Sequence, residues 1–182
     1  MKIKLLLISI VLLSVTSGCY GGLSGRVIDS ETQQPIEGAV MMVEWTKTHG
    51  MGEHWTESYQ VEEAVSDKDG NVKISGCYDP FVDPPSVTVY KKGYVAWNNE
   101  YIFPKYRRRT DFDWWKSGKI FKMEKFLSIY RYLDHSRFIN RAANFGMRDE
   151  KKTMLYNVYI ESEGRQVQEE QEALDRSKRS PR

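Results

Sequence analysis

Disulfide bonds cannot organise this chain. It has two cysteines in 182 residues, Cys19 and Cys77, so one bridge at most is available. Histidine is also scarce: His49, His54 and His135 are the three in the chain. Long apolar runs are missing. The one apolar stretch, residues 5–15, spans roughly eleven residues against the ~20 that cross a bilayer as a helix. An excess of one charge is absent too, with 27 basic residues against 25 acidic. Loss of Lys2 and Lys4 with a leader would make the remainder formally neutral. Neutrality argues against a nucleic-acid partner, which requires a dense positive face.

What is present begins at the N-terminus. Lys2 and Lys4 precede the apolar stretch, and small residues follow it in Val15-Thr16-Ser17-Gly18-Cys19. A basic start, a short apolar core and small residues at the cut define a secretory signal. The run into Cys19 resembles the bacterial lipobox, with Thr16 where that pattern usually has Leu. The resemblance implies cleavage before Cys19 and acylation of its thiol. Residues 1–18 are then signal peptide and 19–22 a lipid-anchored linker, and the first partner is a lipid bilayer. With Cys19 acylated, Cys77 is unpaired and reads as a small buried apolar residue. The alternative is a Cys19–Cys77 disulfide in an oxidising compartment.

Residues 23–124 read as short strands separated by turn signals. The segment 23–29 is followed by a polar stretch ending at Pro35, and 39–45 is rich in β-formers. Two glycines make 49–54 a loop, and 59–66 is the next strand candidate. Asp67-Lys68-Asp69-Gly70-Asn71 is a turn, because Asp opens it and Gly70 accepts positive φ. Residues 72–75 alternate apolar and polar, as a half-buried strand does. Strands at 87–90 and 95–97 follow, and 119–123 closes the set after a loop over 103–118. Expected inward residues are Val27, Val40, Met42, Ile74, Val87 and Val89. The spacing predicts a β-sandwich. Beyond it, Asp134 is the expected N-cap of a helix carrying Phe138, Ile139, Ala142 and Ala143, with Gly146 as its stop. A second short helix is expected from about Asp149, with a stripe of Met154, Leu155, Val158 and Tyr159. The helical extension is placed at 125–164. The polar residues 165–182 read as a frayed helix or a disordered tail.

Four blocks carry a resemblance. Gly25-Arg26-Val27-Ile28-Asp29, Pro35-Ile36-Glu37-Gly38-Ala39-Val40, Asp67-Lys68-Asp69-Gly70-Asn71-Val72, and Val87-Thr88-Val89 with Lys92-Gly93-Tyr94 occur in that order. Together they resemble the carboxypeptidase regulatory-like domains. That resemblance implies a mainly β, transthyretin-like (prealbumin-like) sandwich of about seven strands, here with a short α-helical C-terminal extension.

Chemistry-bearing candidates are few. His49 and His54, with Met51 and Glu53, suggest a metal loop, but their spacing of five matches no zincin pattern and a hairpin loop is the preferred reading. Asp67, Asp69 and Asn71 suggest a calcium loop, but Gly70 stands fourth where an EF-hand needs glycine sixth. Asp134 beside His135 suggests a base and its orienting acid, but adjacent helical residues do not face each other. His135 is expected at the surface. The segment 101–115 is the strongest candidate. Tyr106, Arg107, Arg108, Arg109, Trp114 and Trp115 combine aromatic and guanidinium groups of the kind enriched where partners bind. The competing reading is that the aromatics cover the core while the arginines are solvated.

These observations predict a non-enzymatic, lipid-anchored binding or structural module of a bacterial cell envelope, with no cofactor and with an envelope protein or glycan as partner. Tyr20 after Cys19, in place of an inner-membrane Asp signal, favours the outer membrane by the same resemblance. Glycan or peptidoglycan binding through Trp114 and Trp115 is one alternative. A hydrolase is the other, since the transthyretin-like fold also carries hydroxyisourate hydrolases. Their terminal Tyr-Arg-Gly-Ser is replaced here by Arg179-Ser180-Pro181-Arg182, and no acid, base and nucleophile converge in the sequence.

Overall fold

The computed structural model describes residues 21–50, 53–114, 116, 118–144 and 153–179. Nine strands and two helices are defined among them: β1 (Leu23–Asp29), β2 (Val40–His49), β3 (Trp55–Val65), β4 (Asn71–Ile74), β5 (Ser86–Tyr90), β6 (Trp97–Asn98), β7 (Tyr101–Ile102), β8 (Arg107–Arg108), β9 (Lys119–Met123), α1 (Tyr132–Ala142) and α2 (Met154–Arg179). A three-stranded sheet β4-β1-β9 faces a four-stranded sheet β3-β2-β5-β6, and β7-β8 form a separate small hairpin. The fold is mainly β, a sandwich with a helical C-terminal part. Its two facing sheets hold the expected number of strands.

Most pairings are antiparallel, but β9 joins β1 in parallel, Arg26 opposite Ile120 and Asp29 opposite Met123. Gly25 permits that closure. A Cβ there would lie 2.5 Å from the Lys119 carbonyl oxygen and 2.6 Å from the Phe121 ring. The 67–71 turn forms as its residues predict. Asp67 Oδ1 accepts from the backbone N–H of Asp69 (2.9 Å) and of Asn71 (2.8 Å), and Gly70 takes φ +78°. β2 and β3 make a long hairpin that runs to His49 and Trp55, with a bulge at Trp45 and Thr46. The expected loop therefore begins only after His49.

Two cores result. Between the sheets lie Val27, Met41, Val43, Trp45, Ile74, Val87, Val89 and Phe121, with Cys77 among them as a free, buried thiol. On the outer face of the larger sheet, Val40, Met42 and Tyr90 pack against Phe138, Ile139, Ala142, Leu155 and Tyr159 of the helices. Val40 and Met42 are thus buried, but under the helical layer and not between the sheets as expected. Both faces of β2 are covered over its first half, where residues 40–43 are all apolar, so alternation gives no side there.

The helical part departs from expectation in four ways. The N-cap of α1 is Arg131, and Asp134 sits in the first turn. His135 is fully buried, not at the surface. α2 is long, with 26 residues, and it carries the 165–182 stretch, expected frayed or disordered, as helix through Arg179. Finally, the helix starts are stabilised from a distance. Glu170 accepts the N–H groups of Tyr132 and Leu133 at 3.0 Å each. Glu63 of β3 accepts those of Met154 (2.7 Å) and Leu155 (2.8 Å). Cys19, Met51, Trp115, Gly146 and Asp149 lie outside the described residues.

Candidate functional site

The 101–114 segment divides into structural and exposed side chains. Phe103 is buried against Tyr130, His135 and Phe138. Tyr106 takes φ +51° and rests on Phe138, with its ring centroid 5.5 Å away. The Arg141 guanidinium lies over both Tyr101 and Tyr106. Burial raises the Tyr106 hydroxyl above its ordinary value. Tyr106 therefore docks the β7-β8 hairpin on α1.

The three arginines separate in the same way. Arg107 and Arg108 form β8 and are exposed. Arg109 turns inward: Nε donates to the Asn98 carbonyl at 2.7 Å, the guanidinium lies 4.6 Å from the Trp97 ring centroid, and Asp111 pairs with it at 3.3 Å. Arg109 holds the segment to β6, and a charge so placed is a fixed wall, not a mobile one. Trp114 is half-buried and packs edge-on against the buried Trp45, centroids 6.4 Å apart.

A cleft of about 520 Å³ opens beside this segment. Trp97 and Phe112 form its aromatic wall and stand edge-to-face at 5.6 Å. Arg109, Lys116, Lys119 and Lys122 line it together with Asp111 and Asp113, an excess of cations. The Lys119 ammonium donates to the carbonyls of Trp114 (2.6 Å) and Lys116, which fixes the loop forming the rim. Burial lowers the Lys119 ammonium below its usual value. An aromatic wall with surplus cations suits an anionic or sugar-bearing ligand. The lysines were missed in the sequence because they come from β9 and its approach, and the parallel β1–β9 pairing, not proximity in the chain, brings β9 beside Trp97.

The metal and base candidates fare differently. His49 Nε2 lies 2.9 Å from Glu57 Oε1, and its ring stacks on Trp55 at 5.3 Å. His54 is exposed near the end of the hairpin turn. Among the described residues no group of three or more His, Cys, Asp or Glu side chains is placed to hold a metal. His135 does meet an acid, but it is Glu163 of α2. Its Nδ1 lies 2.9 Å from Glu163 Oε2, and its Nε2 is 2.9 Å from the Ala96 amide nitrogen. A backbone N–H can only donate, so Nε2 is the acceptor and Nδ1 carries the proton donated to Glu163. Tyr90 donates to Glu163 Oε1 at 2.9 Å, and Ser162 lies against the same hydroxyl. Burial drives the Tyr90 hydroxyl far above its ordinary value. His135 and Glu163 are both essentially inaccessible, so this network joins β5, α1 and α2 rather than meeting a ligand. A separate groove of about 600 Å³ lies between the helices, lined by Leu133, Tyr156, Ile160 and Val167 among others.

No family model matches the chain, and no curated protein does. Among solved structures it is similar to a 9R-lipoxygenase from Cyanothece PCC8801, with 17% identity over 61% of this chain and 17% of that one. The TM-score is 0.28, too low to support any statement about fold or activity. No described helix is long and apolar enough to cross a membrane.

Proposed function

We propose that this chain is a lipid-anchored, non-enzymatic binding or structural module of a bacterial cell envelope, built on a sandwich of the carboxypeptidase regulatory-like kind. The observation that carries the reading is the leader ending in Val15-Thr16-Ser17-Gly18-Cys19. Several acyl chains on one cysteine suffice to hold such a body on a bilayer. Mass spectrometry of the N-terminal peptide from the native membrane is the test. The expected species begins at acylated Cys19. A free Cys19 thiol, or an intact leader, would overturn the anchor.

The second reading, a glycan ligand, is favoured by the cleft between Trp97, Phe112 and the four cations. It moves the recognition surface from Trp114, which packs on the sandwich core, to the neighbouring wall. Lys116 and Lys122 are exposed and can be reversed in charge with little effect on folding. A Lys116→Glu, Lys122→Glu protein should lose retention on purified peptidoglycan. Equal retention of variant and wild type removes the glycan reading and leaves a protein partner.

A further inference from the structure

The chain enters the sandwich at one pole, and the surface there differs from the rest. Leu23 pairs with Ile74, and a Cβ on Gly22 would lie 2.9 Å from the Ile74 carbonyl oxygen and 3.7 Å from the Gly76 nitrogen. β1 therefore begins where β4 ends, beside the loop 75–85. That loop is tied to the outer half of the β2-β3 hairpin: Lys47 pairs with Asp79 at 2.7 Å, and the Asp83 amide donates to Thr46 at 2.8 Å. Strand direction thus gathers the chain entry, the loop and the hairpin end at one pole. The turn 67–70 and the end of β9 lie at the other.

Four aromatic side chains are exposed among the described residues, and all four are at the entry pole: Phe81 (78%), Tyr78 (75%), Trp55 (58%) and Tyr59 (45%). The other large exposed apolar side chains are aliphatic and lie elsewhere. No cationic surplus marks the pole. Lys47 is neutralised by Asp79 and lies over the Tyr59 ring at 3.8 Å, His49 lies against Glu57, and Asp83 accepts from the hydroxyls of Thr46 and Thr48. Amphipathic aromatic rings favour the boundary between headgroups and water.

The length of chain before the body decides what covers this pole. Cys19 precedes Gly21 by two residues, about 7 Å when fully extended. The headgroup layer on one side of a bilayer is of similar depth, roughly 5–8 Å. An acyl group on Cys19 therefore holds Gly21 at the headgroups, and the pole beside it must face the bilayer. We infer that the loop 75–85 and the end of the β2-β3 hairpin form a membrane-seating surface, with Phe81, Tyr78, Trp55 and Tyr59 placed in the headgroup region. This rests on the acylation of Cys19 proposed above. Seating by rings, with no cationic surplus nearby, should not require anionic lipid.

The test uses the full chain expressed with its leader, purified from membranes and reconstituted into vesicles of phosphatidylcholine, with and without phosphatidylglycerol. A nitroxide is attached in Phe81→Cys, in Tyr78→Cys and in the reference Ile129→Cys. Ile129 is 78% exposed and follows β9 at the far pole, while Cys77 is buried away from the label. Labels at 81 and 78 should be reached more by oxygen, and less by a water-soluble nickel complex, than the label at 129, equally in both vesicle types. Accessibility equal to that at 129 overturns the seating surface, as does a label immobilised and hidden from both reagents, which would mean that protein covers the pole. The mass of the N-terminal peptide from the same preparation separates the two claims. A free Cys19 thiol removes the anchor and the seating surface with it. An acylated Cys19 with a water-exposed residue 81 removes the seating surface alone.

Discussion

Asp67 shows how much a single side chain can decide. Its Oδ1 receives two backbone N–H groups and closes the turn that feeds β4. The Asn71 amide, first among several donors, holds this carboxyl below its ordinary value of 3.8. The Thr32 amide acts likewise on Asp29, and the Lys47 ammonium on Asp79. A carboxyl depressed in the folded state stabilises above its unfolded pKa, and that contribution disappears as pH falls through the folded value. Urea midpoints from about pH 5 down to about pH 2 should therefore fall less steeply in Asp67→Asn, which keeps an acceptor but cannot titrate. Parallel curves for variant and wild type would show that the turn contributes nothing to the acid limb. This turn was legible in the sequence because its chemistry is local: an acid, a glycine with positive φ and the amides between them. The arginine run was not. Arg107, Arg108 and Arg109 are equivalent as letters, and the Asn98 carbonyl and the Trp97 ring, both on β6, single out Arg109.

At the scale of elements, strands were easier to read than helix ends. β1 and β9 match their expected limits, since both are short apolar-rich runs bounded by turn residues. The helix starts could not be read locally, because their acceptors are Glu63 and Glu170, far away in sequence. His135 was misplaced for the same reason: its partner, Glu163, belongs to another helix. That pair now allows a graded prediction. Glu163→Leu leaves the His135 Nδ1–H without an acceptor and the Tyr90 hydroxyl with Ser162 Oγ alone, and should cost about 3 kcal/mol, the upper end for an unsatisfied buried donor. Glu163→Gln can still accept from Nδ1–H through its carbonyl and donate to the Tyr90 oxygen, so its loss should be nearer 1 kcal/mol. Chemical denaturation of both variants checks the order. Equal losses would mean that the site responds to charge alone and not to hydrogen-bond satisfaction.

For the whole molecule, the question is whether the helical layer is an appendage or part of one folding unit. The larger sheet has no exposed face to fall back on, since Val40, Met42 and Tyr90 lose their cover if α1 and α2 leave. Polar ties reinforce the apolar ones. The Ala142 carbonyl receives donors from Ser86, Thr88 and Asn98, and Asn144 reaches Glu44 of β2 at 3.0 Å. The apolar stripes of the helices were visible in the sequence, but what they cover was not, because the unbroken apolar run 40–43 of β2 has no readable side. One cooperative unit should unfold in one step. The far-UV helical signal should then lose amplitude at the same urea concentration as the fluorescence of Trp45 and Trp97, which are buried in the inter-sheet core. If the helical signal falls first while the tryptophans stay protected, the sandwich stands alone. The Glu163 losses would then measure helix docking, not the stability of the fold.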